Sequence, residues 1–140
     1  SLGGHNSIYT AVFDERIKVI VSSCGFDSYL DYIPAAWAPG KGWSQELYMP
    51  RILDYPREQI PFDFHELIGS LAPRAVFVNA PTRDGNFPKW GSIDKVVAAA
   101  LPVYRLHDVP ALIKVVHPDT GHDFPTEVRE EAYDWIQQFL

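Results

Sequence analysis

Cysteine is almost absent from the chain. Cys24 is the single cysteine among 140 residues, which excludes an internal disulfide and any Cys-x-x-Cys metal or redox pair. We interpret Cys24 as a small buried residue just after a strand, which is the usual role of an isolated thiol.

Strong positive charge and long apolar runs are also missing. The net charge is −6, the isoelectric point is near 5.2, and Lys and Arg form no run. These features argue against nucleic acid or an anionic membrane as the main partner and favour a small neutral or cationic substrate. The apolar runs are too short for a transmembrane helix, and the first residues do not match a signal peptide. The cellular compartment stays open.

The apolar residues are numerous and regularly spaced. They make up 46% of the chain, enough for the core of one domain covering residues 1–140. Short β-branched runs predict buried strands at 17–21, 75–78 and 112–116. Helical periodicity predicts helices at 2–13, 62–71, 93–104 and 128–139. This alternation predicts an α/β fold with about three parallel strands and helices on both faces.

Glycine and proline refine these helices. Gly3 and Gly4 would let the first helix pack closely on a strand. Gly69 is expected to end the second helix, and Pro102 is expected to kink or split the third.

Three strands are few for a parallel sheet. The first strand would present an open edge, which could pair with a second copy of the chain to form a homo-oligomer. The predicted elements therefore correspond to about half of a larger domain.

Residues 26–61 differ in character from the rest. Five prolines and many aromatic residues predict little regular structure. Long loops in compact domains often act as lids or binding loops, whereas a surface insertion packed by its own aromatic side chains would be structural. Trp37, Trp43 and Tyr48 are the candidate substrate-binding residues, and a structural role for them is equally open.

The first residues, Ser1-Leu2-Gly3, match the second half of a G-x-S-x-G nucleophile elbow. In such an elbow a sharp turn from strand to helix exposes the serine hydroxyl, and the next backbone N–H points to the same place. The alternative is a glycine-rich tail ahead of an ordinary helix.

Asp84 and His122 are the candidate partners of Ser1. An acyl-transfer serine needs a histidine to take its proton and a carboxylate to orient that histidine. Asp84 follows the second predicted strand and His122 the third, and the carboxyl ends of parallel strands lie together. The chain order serine, aspartate, histidine differs from the orders of chymotrypsin and subtilisin. It matches the order found in α/β-hydrolases.

Other histidines compete less well for the role of base. His117 adjoins a strand end, where its ring can be fixed structurally. His5, His65 and His107 lie on helical or loop stretches, where a surface or half-buried position is expected.

Asp119 and Asp123 could replace Asp84, but their closeness to His122 in sequence favours turn or capping roles.

His117 and His122 do not have the i, i+4 spacing of a helical zinc pair. We therefore expect no metal and no other cofactor.

The chain resembles the α/β-hydrolase superfamily in three stretches: SLGGH at 1–5, LAPRAVFVNAP at 71–81 with RDGNF at 83–87, and GHDFP at 121–125. The nearest branch is that of bacterial acetyl-xylan-esterase-like and prolyl-oligopeptidase-like hydrolases related to dienelactone hydrolase. The resemblance covers the whole chain and corresponds to the C-terminal portion of the fold, from the nucleophile elbow to the final helix.

The resemblance implies a role for four residues. Ser1 would be the nucleophile, Asp84 the triad acid and His122 the general base, while the Leu2 N–H would donate to the oxyanion. The earlier strands of the superfamily and the loop with a second oxyanion donor have no counterpart in the chain. Loss of one donor costs about 10²–10³ in rate, so activity of the chain by itself is not assured.

Residues and resemblance together predict a serine hydrolase that acts on a small acyl ester, an acetylated carbohydrate being one candidate. Peptide cleavage of the prolyl-oligopeptidase type is an alternative. In another, Ser1 is an N-terminal nucleophile that uses its own amine as base. In a third, an incomplete domain associates through its open strand edge and catalyses nothing.

Overall fold

The sheet has three parallel strands, as predicted. A computed structural model describes residues 1–40 and 43–140, and Lys41 and Gly42 of the segment 26–61 lie outside the described residues. The strands are β1 (Val19–Ser23), β2 (Ala75–Asn79) and β3 (Ile113–Val116), in the spatial order β1-β2-β3. Parallel pairing places the carboxyl ends of all three at one edge of the sheet.

Five α-helices accompany the strands in the described part of the chain. They are α1 (Leu2–Phe13), α2 (Gln45–Tyr48), α3 (Phe64–Ser70), α4 (Trp90–Leu106) and α5 (Thr126–Gln137). Within residues 1–40 and 43–140, none of them has the length and apolar character needed to cross a membrane.

The expected end of the second helix at Gly69 was wrong. Gly69 lies inside α3, where a Cβ atom would come within 3.3 Å of Val103 on α4, so glycine here serves close helix packing. Pro102 lies inside α4 without splitting it, and the expected kink stays a prediction. The helix is anchored on both sides of the proline, because Ala100 and Tyr104 are buried and the Tyr104 hydroxyl donates to the Arg74 carbonyl at 3.0 Å.

Helices cover both faces of the sheet. The central strand β2 is buried along its whole length. Val76 and Val78 face the main core, which also contains buried residues of α1, α3 and α4. Ala75 and Phe77 face a second cluster formed with Val128, Ala132 and Trp135 of α5. The two-sided packing explains why the β2 sequence is continuously apolar rather than alternating.

The segment 26–61 contains only single turns in its described part, as predicted. Besides α2, these are 3₁₀ turns at Pro34–Trp37, Pro50–Asp54 and Arg57–Gln59. The segment is nevertheless part of the core, because Phe26 and Tyr29 are buried and Phe26 stacks on Phe64 of α3 with ring centroids 4.8 Å apart.

The start of α1 lies directly on the end of β1. A Cβ atom at Gly4 would lie 2.7 Å from the Ser23 carbonyl oxygen, and one at Gly25 would lie 2.5 Å from the Gly4 carbonyl carbon. The Ser22 hydroxyl donates to the Gly4 carbonyl at 3.0 Å. Gly3, in contrast, has no neighbouring atom within 4 Å of a Cβ position. Close packing was expected for both glycines, but only Gly4 requires it.

β1 lies at one edge of the sheet and pairs only with β2 among the described residues. Its backbone is partly occupied by α1, because the Val21 carbonyl accepts from the Ser7 hydroxyl at 2.9 Å and the Ser23 carbonyl accepts from the Ser1 nitrogen at 2.9 Å. These contacts limit the length of strand that a second copy could pair with.

The two neighbouring glycines provide a matched test of this contact. We expect Gly4→Ala to lower the free energy of unfolding by about 2–3 kcal/mol, because the new methyl group overlaps backbone atoms. Gly3→Ala should leave it unchanged or raise it by less than about 1 kcal/mol, since alanine favours a helix and meets no atom there. Urea denaturation of both variants measures the difference, and equal losses would contradict the packing account.

Candidate active site

The contact between Asp84 and His122 is the centre of the candidate site. His122 Nδ1 lies 2.9 Å from Asp84 Oδ1 and 2.8 Å from Oδ2. The side chain of Asp84 is 1% exposed, whereas that of His122 is 29% exposed. Because an ionised carboxylate only accepts hydrogen bonds, the His122 Nδ1–H is the donor in this contact.

Backbone groups hold the Asp84 carboxylate in place. Its Oδ1 accepts from the N–H of Asn86 at 2.8 Å and from the N–H of Phe87 at 3.2 Å. These contacts form a turn that follows β2, in which a short acidic side chain binds the backbone just after it. These backbone contacts therefore orient the carboxylate independently of His122.

The loops that follow β2 and β3 run side by side. The Thr82 N–H donates to the Pro118 carbonyl at 3.0 Å, and the Arg83 N–H donates to the Thr120 carbonyl at 3.0 Å. Arg83 also forms an ion pair with Asp119 at 2.7 Å, so the Asp119 side chain links the two loops. This arrangement brings Asp84 and His122 together although they are 38 residues apart.

The sequence analysis assigned no role to Asn79, which occupies the last position of β2. Its side chain is buried, and its Nδ2 donates to the Ser23 hydroxyl at 2.8 Å and to the Asp123 carbonyl at 2.9 Å. It thus ties the end of β1 to the residue after His122. The sequence does contain a sign of this role, because Asn79 is the one polar residue at the end of an otherwise apolar strand.

Ser1 caps α1 at the same edge of the sheet. Ser1 and His122 both line a cavity of about 420 Å³. The Ser1 hydroxyl lies 2.8 Å from the Tyr48 hydroxyl, and within residues 1–40 and 43–140 no hydrogen bond joins Ser1 to His122. Leu2 begins α1, and the N–H groups of a first helical turn have no acceptor inside the helix.

Aromatic rings connect the Ser1 and His122 sides of the site. Trp43 packs edge-on against Tyr48 at 5.3 Å and against Phe87 at 5.9 Å, measured between ring centroids. Phe87 lies 5.9 Å from the His122 ring. Tyr48 therefore contacts Ser1, and Trp43 is separated from Ser1 by Tyr48 and from His122 by Phe87. The described residues that line the cavity of Ser1 include neither Trp43 nor Tyr48, so their role in substrate binding stays a prediction.

Trp37 lies elsewhere. Its ring is covered by the Arg57 guanidinium at 4.6 Å and packs on Tyr29 and Tyr32. It lines a separate surface depression with Tyr55, so the structure does not bring it to the cavity of Ser1.

His5 was expected at the surface or half buried, and this was wrong. His5 is only 2% exposed, because its side chain points from α1 into the core. There its ring stacks on Tyr9 and packs edge-on against Tyr48, with ring centroids 4.7 Å and 5.2 Å away. Burial lowers the pKa of His5 to about 4. The ring is therefore neutral at pH 7 and supports Tyr48 by packing.

His117 is fixed at the end of β3, in agreement with the sequence analysis. Its Nδ1 lies 2.8 Å from the Ala80 carbonyl and its Nε2 lies 3.0 Å from Asp94 Oδ1. Both ring nitrogens are therefore occupied. His65 is half buried and His107 is exposed.

No known family profile matches the chain. A curated protein of Bacillus subtilis (strain 168), named "Putative hydrolase YtaP", is 26% identical over 140 residues, which are 100% of this chain and 44% of that protein.

Two solved structures share the fold. A carbohydrate esterase family 15 (CE15) glucuronoyl esterase from Caldicellulosiruptor kristjansonii matches with a TM-score of 0.77 and 22% identity, over 94% of this chain and 39% of that one. A promiscuous CE15 esterase from a marine bacterial metagenome matches with a TM-score of 0.79 and 18% identity, over 98% of this chain and 40% of that one. The chain has part of an α/β-hydrolase fold and spans about two fifths of the length of these relatives.

Asn79 can be tested against a neighbouring asparagine. Asn79→Ala removes the amide donor to the Ser23 hydroxyl and to the Asp123 carbonyl, which keeps only the weak Cys24 thiol donor. We expect a loss of about 2–3 kcal/mol in the free energy of unfolding. Asn86 is half buried, and only its backbone N–H contacts Asp84, so Asn86→Ala should change stability by less than about 0.5 kcal/mol. Urea denaturation compares the two, and similar losses would show that Asn79 is not a structural link.

Proposed function

We propose that the chain carries the catalytic residues of a serine-dependent ester hydrolase. The observation that carries the proposal is the Asp84–His122 hydrogen bond of 2.8 Å beside a cavity that Ser1 also lines. The similarity to proteins named as esterases and as a putative hydrolase supports the same reaction class.

Each residue has a definite step in the proposed reaction. The Ser1 oxygen attacks the ester carbonyl while His122 Nε2 takes its proton, and the imidazolium then protonates the leaving alcohol. In the second half of the reaction, His122 takes a proton from the attacking water and returns a proton to the Ser1 oxygen as the acyl group leaves. Asp84 holds the Nδ1–H tautomer and stabilises the imidazolium, and the Leu2 N–H donates to the tetrahedral oxyanion.

The Ser1 hydroxyl must turn from Tyr48 towards His122 before it reacts. Catalytic hydrogen bonds commonly tighten only when substrate binds. Tyr48 then keeps a free hydroxyl beside the reacting carbonyl, which gives it a polar role in addition to its contact with Trp43.

The substrate proposed is a small acyl ester of an alcohol, including esters of carbohydrates. A cavity of about 420 Å³ falls within the usual range for small-molecule sites. Val21 and Phe124 give this cavity an apolar surface, and Ser1, Ser23 and His122 give it polar groups.

Hydrolysis of p-nitrophenyl acetate by this chain tests the proposal. We expect Ser1→Ala and His122→Ala each to lower kcat/KM by at least about 10³-fold, because each removes a member of the triad. His117→Ala is the matched control and should lower it less than about threefold, since that ring is bound to Ala80 and Asp94 instead.

Circular dichroism establishes that the variants are folded. Turnover that survives Ser1→Ala, or equal losses in the two histidine variants, would contradict the assignment of nucleophile and base.

A further inference from the structure

The Cys24 thiol takes no part in the proposed reaction, yet it lies beside the residues that do. Cys24 Sγ, a carboxylate oxygen of Asp84 and a ring nitrogen of His122 all lie within 4.8 Å of one another. The three residues follow β1, β2 and β3 respectively. The parallel sheet therefore collects a thiol, a carboxylate and an imidazole at one point.

The spacing suits a tetrahedral metal ion. Zinc binds thiolate sulfur at about 2.3 Å and imidazole nitrogen or carboxylate oxygen at about 2.0–2.2 Å, so its ligand atoms lie about 3.5 Å apart. The ligand atoms here are at most 4.8 Å apart. Binding through Nδ1 requires the 2.8 Å contact between Asp84 Oδ2 and His122 Nδ1 to lengthen towards this value. This donor set matches the borderline-soft character of zinc rather than that of magnesium or calcium.

An ion can reach the cluster from the cavity. Cys24 and His122 both line the cavity of about 420 Å³, whereas Cys24 and Asp84 line a small void behind it. The cysteine thus lies between the open side and the buried carboxylate. Three protein ligands would leave a fourth position for water on the cavity side, as in zinc sites that keep an open position.

The backbone holds Cys24 in this position. Its φ angle is +48°, in the left-handed region that non-glycine residues rarely adopt. Its N–H donates to the Asn79 carbonyl at 2.9 Å, and its Sγ lies 3.3 Å from the Asp123 carbonyl oxygen. Cys24 is a buried residue of the main core, as expected from the sequence, and these contacts aim its thiol at the residues around His122.

We propose that Cys24, Asp84 and His122 form a binding site for Zn²⁺ that competes with catalysis. The Cys24 thiol releases its proton to water as the sulfur–zinc bond forms, and no oxidation state changes. When the ion binds Nδ1, the ring proton that His122 shares with Asp84 moves to Nε2, and when it binds Nε2, it occupies the lone pair of the base. Either mode removes the general base. Metal binding rests on the cluster alone, whereas the inhibition rests on the proposed function.

Cobalt titration tests the binding site without any use of activity. Co²⁺ added to the reduced protein should bind with one equivalent and give a near-ultraviolet thiolate-to-cobalt absorption band, which Zn²⁺ then displaces. Cys24→Ser, nearly isosteric, should lose the band and bind Zn²⁺ at least about tenfold more weakly in competition with a chromophoric chelator. His117→Gln is the matched control, because His117 lies outside the cluster, and should keep both properties within about twofold.

Binding that gives no thiolate band, or an equal zinc affinity in Cys24→Ser, would overturn the site. Circular dichroism and the melting temperature establish that each variant is folded, and Cys24→Ala provides a second variant if the serine form is not.

Ester hydrolysis then tests the competition. The Zn²⁺ concentration that halves the rate, relative to the metal-free rate of the same protein, should rise at least about tenfold in Cys24→Ser and stay within about twofold in His117→Gln. Zinc that occupies the site without lowering the rate would overturn the inhibition. If no ester is hydrolysed at all, the proposed function fails, and the cobalt spectra still decide the metal site.

Discussion

The contact between α1 and the end of β1 is the constraint on which the candidate site depends. Gly4 and Gly25 have no room for a side chain, so the helix and the exit of the strand touch through their backbones. This contact places Ser1 beside Ser23, whose hydroxyl in turn accepts from Asn79. A continuous set of short contacts therefore leads from the proposed nucleophile to the ends of two strands.

The rest of the site is built at the carboxyl ends of those strands. Asn79 extends the set of contacts to the residue after His122, and backbone N–H groups orient the Asp84 carboxylate. The acid is buried while the histidine is partly exposed to the cavity. This difference in exposure is what the proposed chemistry needs, because the base must meet substrate and its partner must be kept from water.

The sequence allowed prediction of the sheet, the positions of the main helices and the loops that hold Asp84 and His122, because each follows from local periodicity and from the geometry of parallel strands. The features that were missed depend on tertiary contacts. His5 becomes buried only because α1 presents it to Tyr9 and Tyr48, and Gly69 serves the packing of α4 rather than a helix end. Trp37 packs under Arg57 instead of lining the cavity of Ser1, a contact that no local pattern encodes.

The most direct test of the account is the reaction of this chain with a fluorophosphonate, followed by peptide mass mapping, because the reagent reports whether one serine is activated by a histidine. The account predicts stoichiometric labelling of Ser1 and a rate at least about 100-fold lower in His122→Ala. Labelling of another serine, or labelling of Ser1 at the same rate with and without His122, would contradict it.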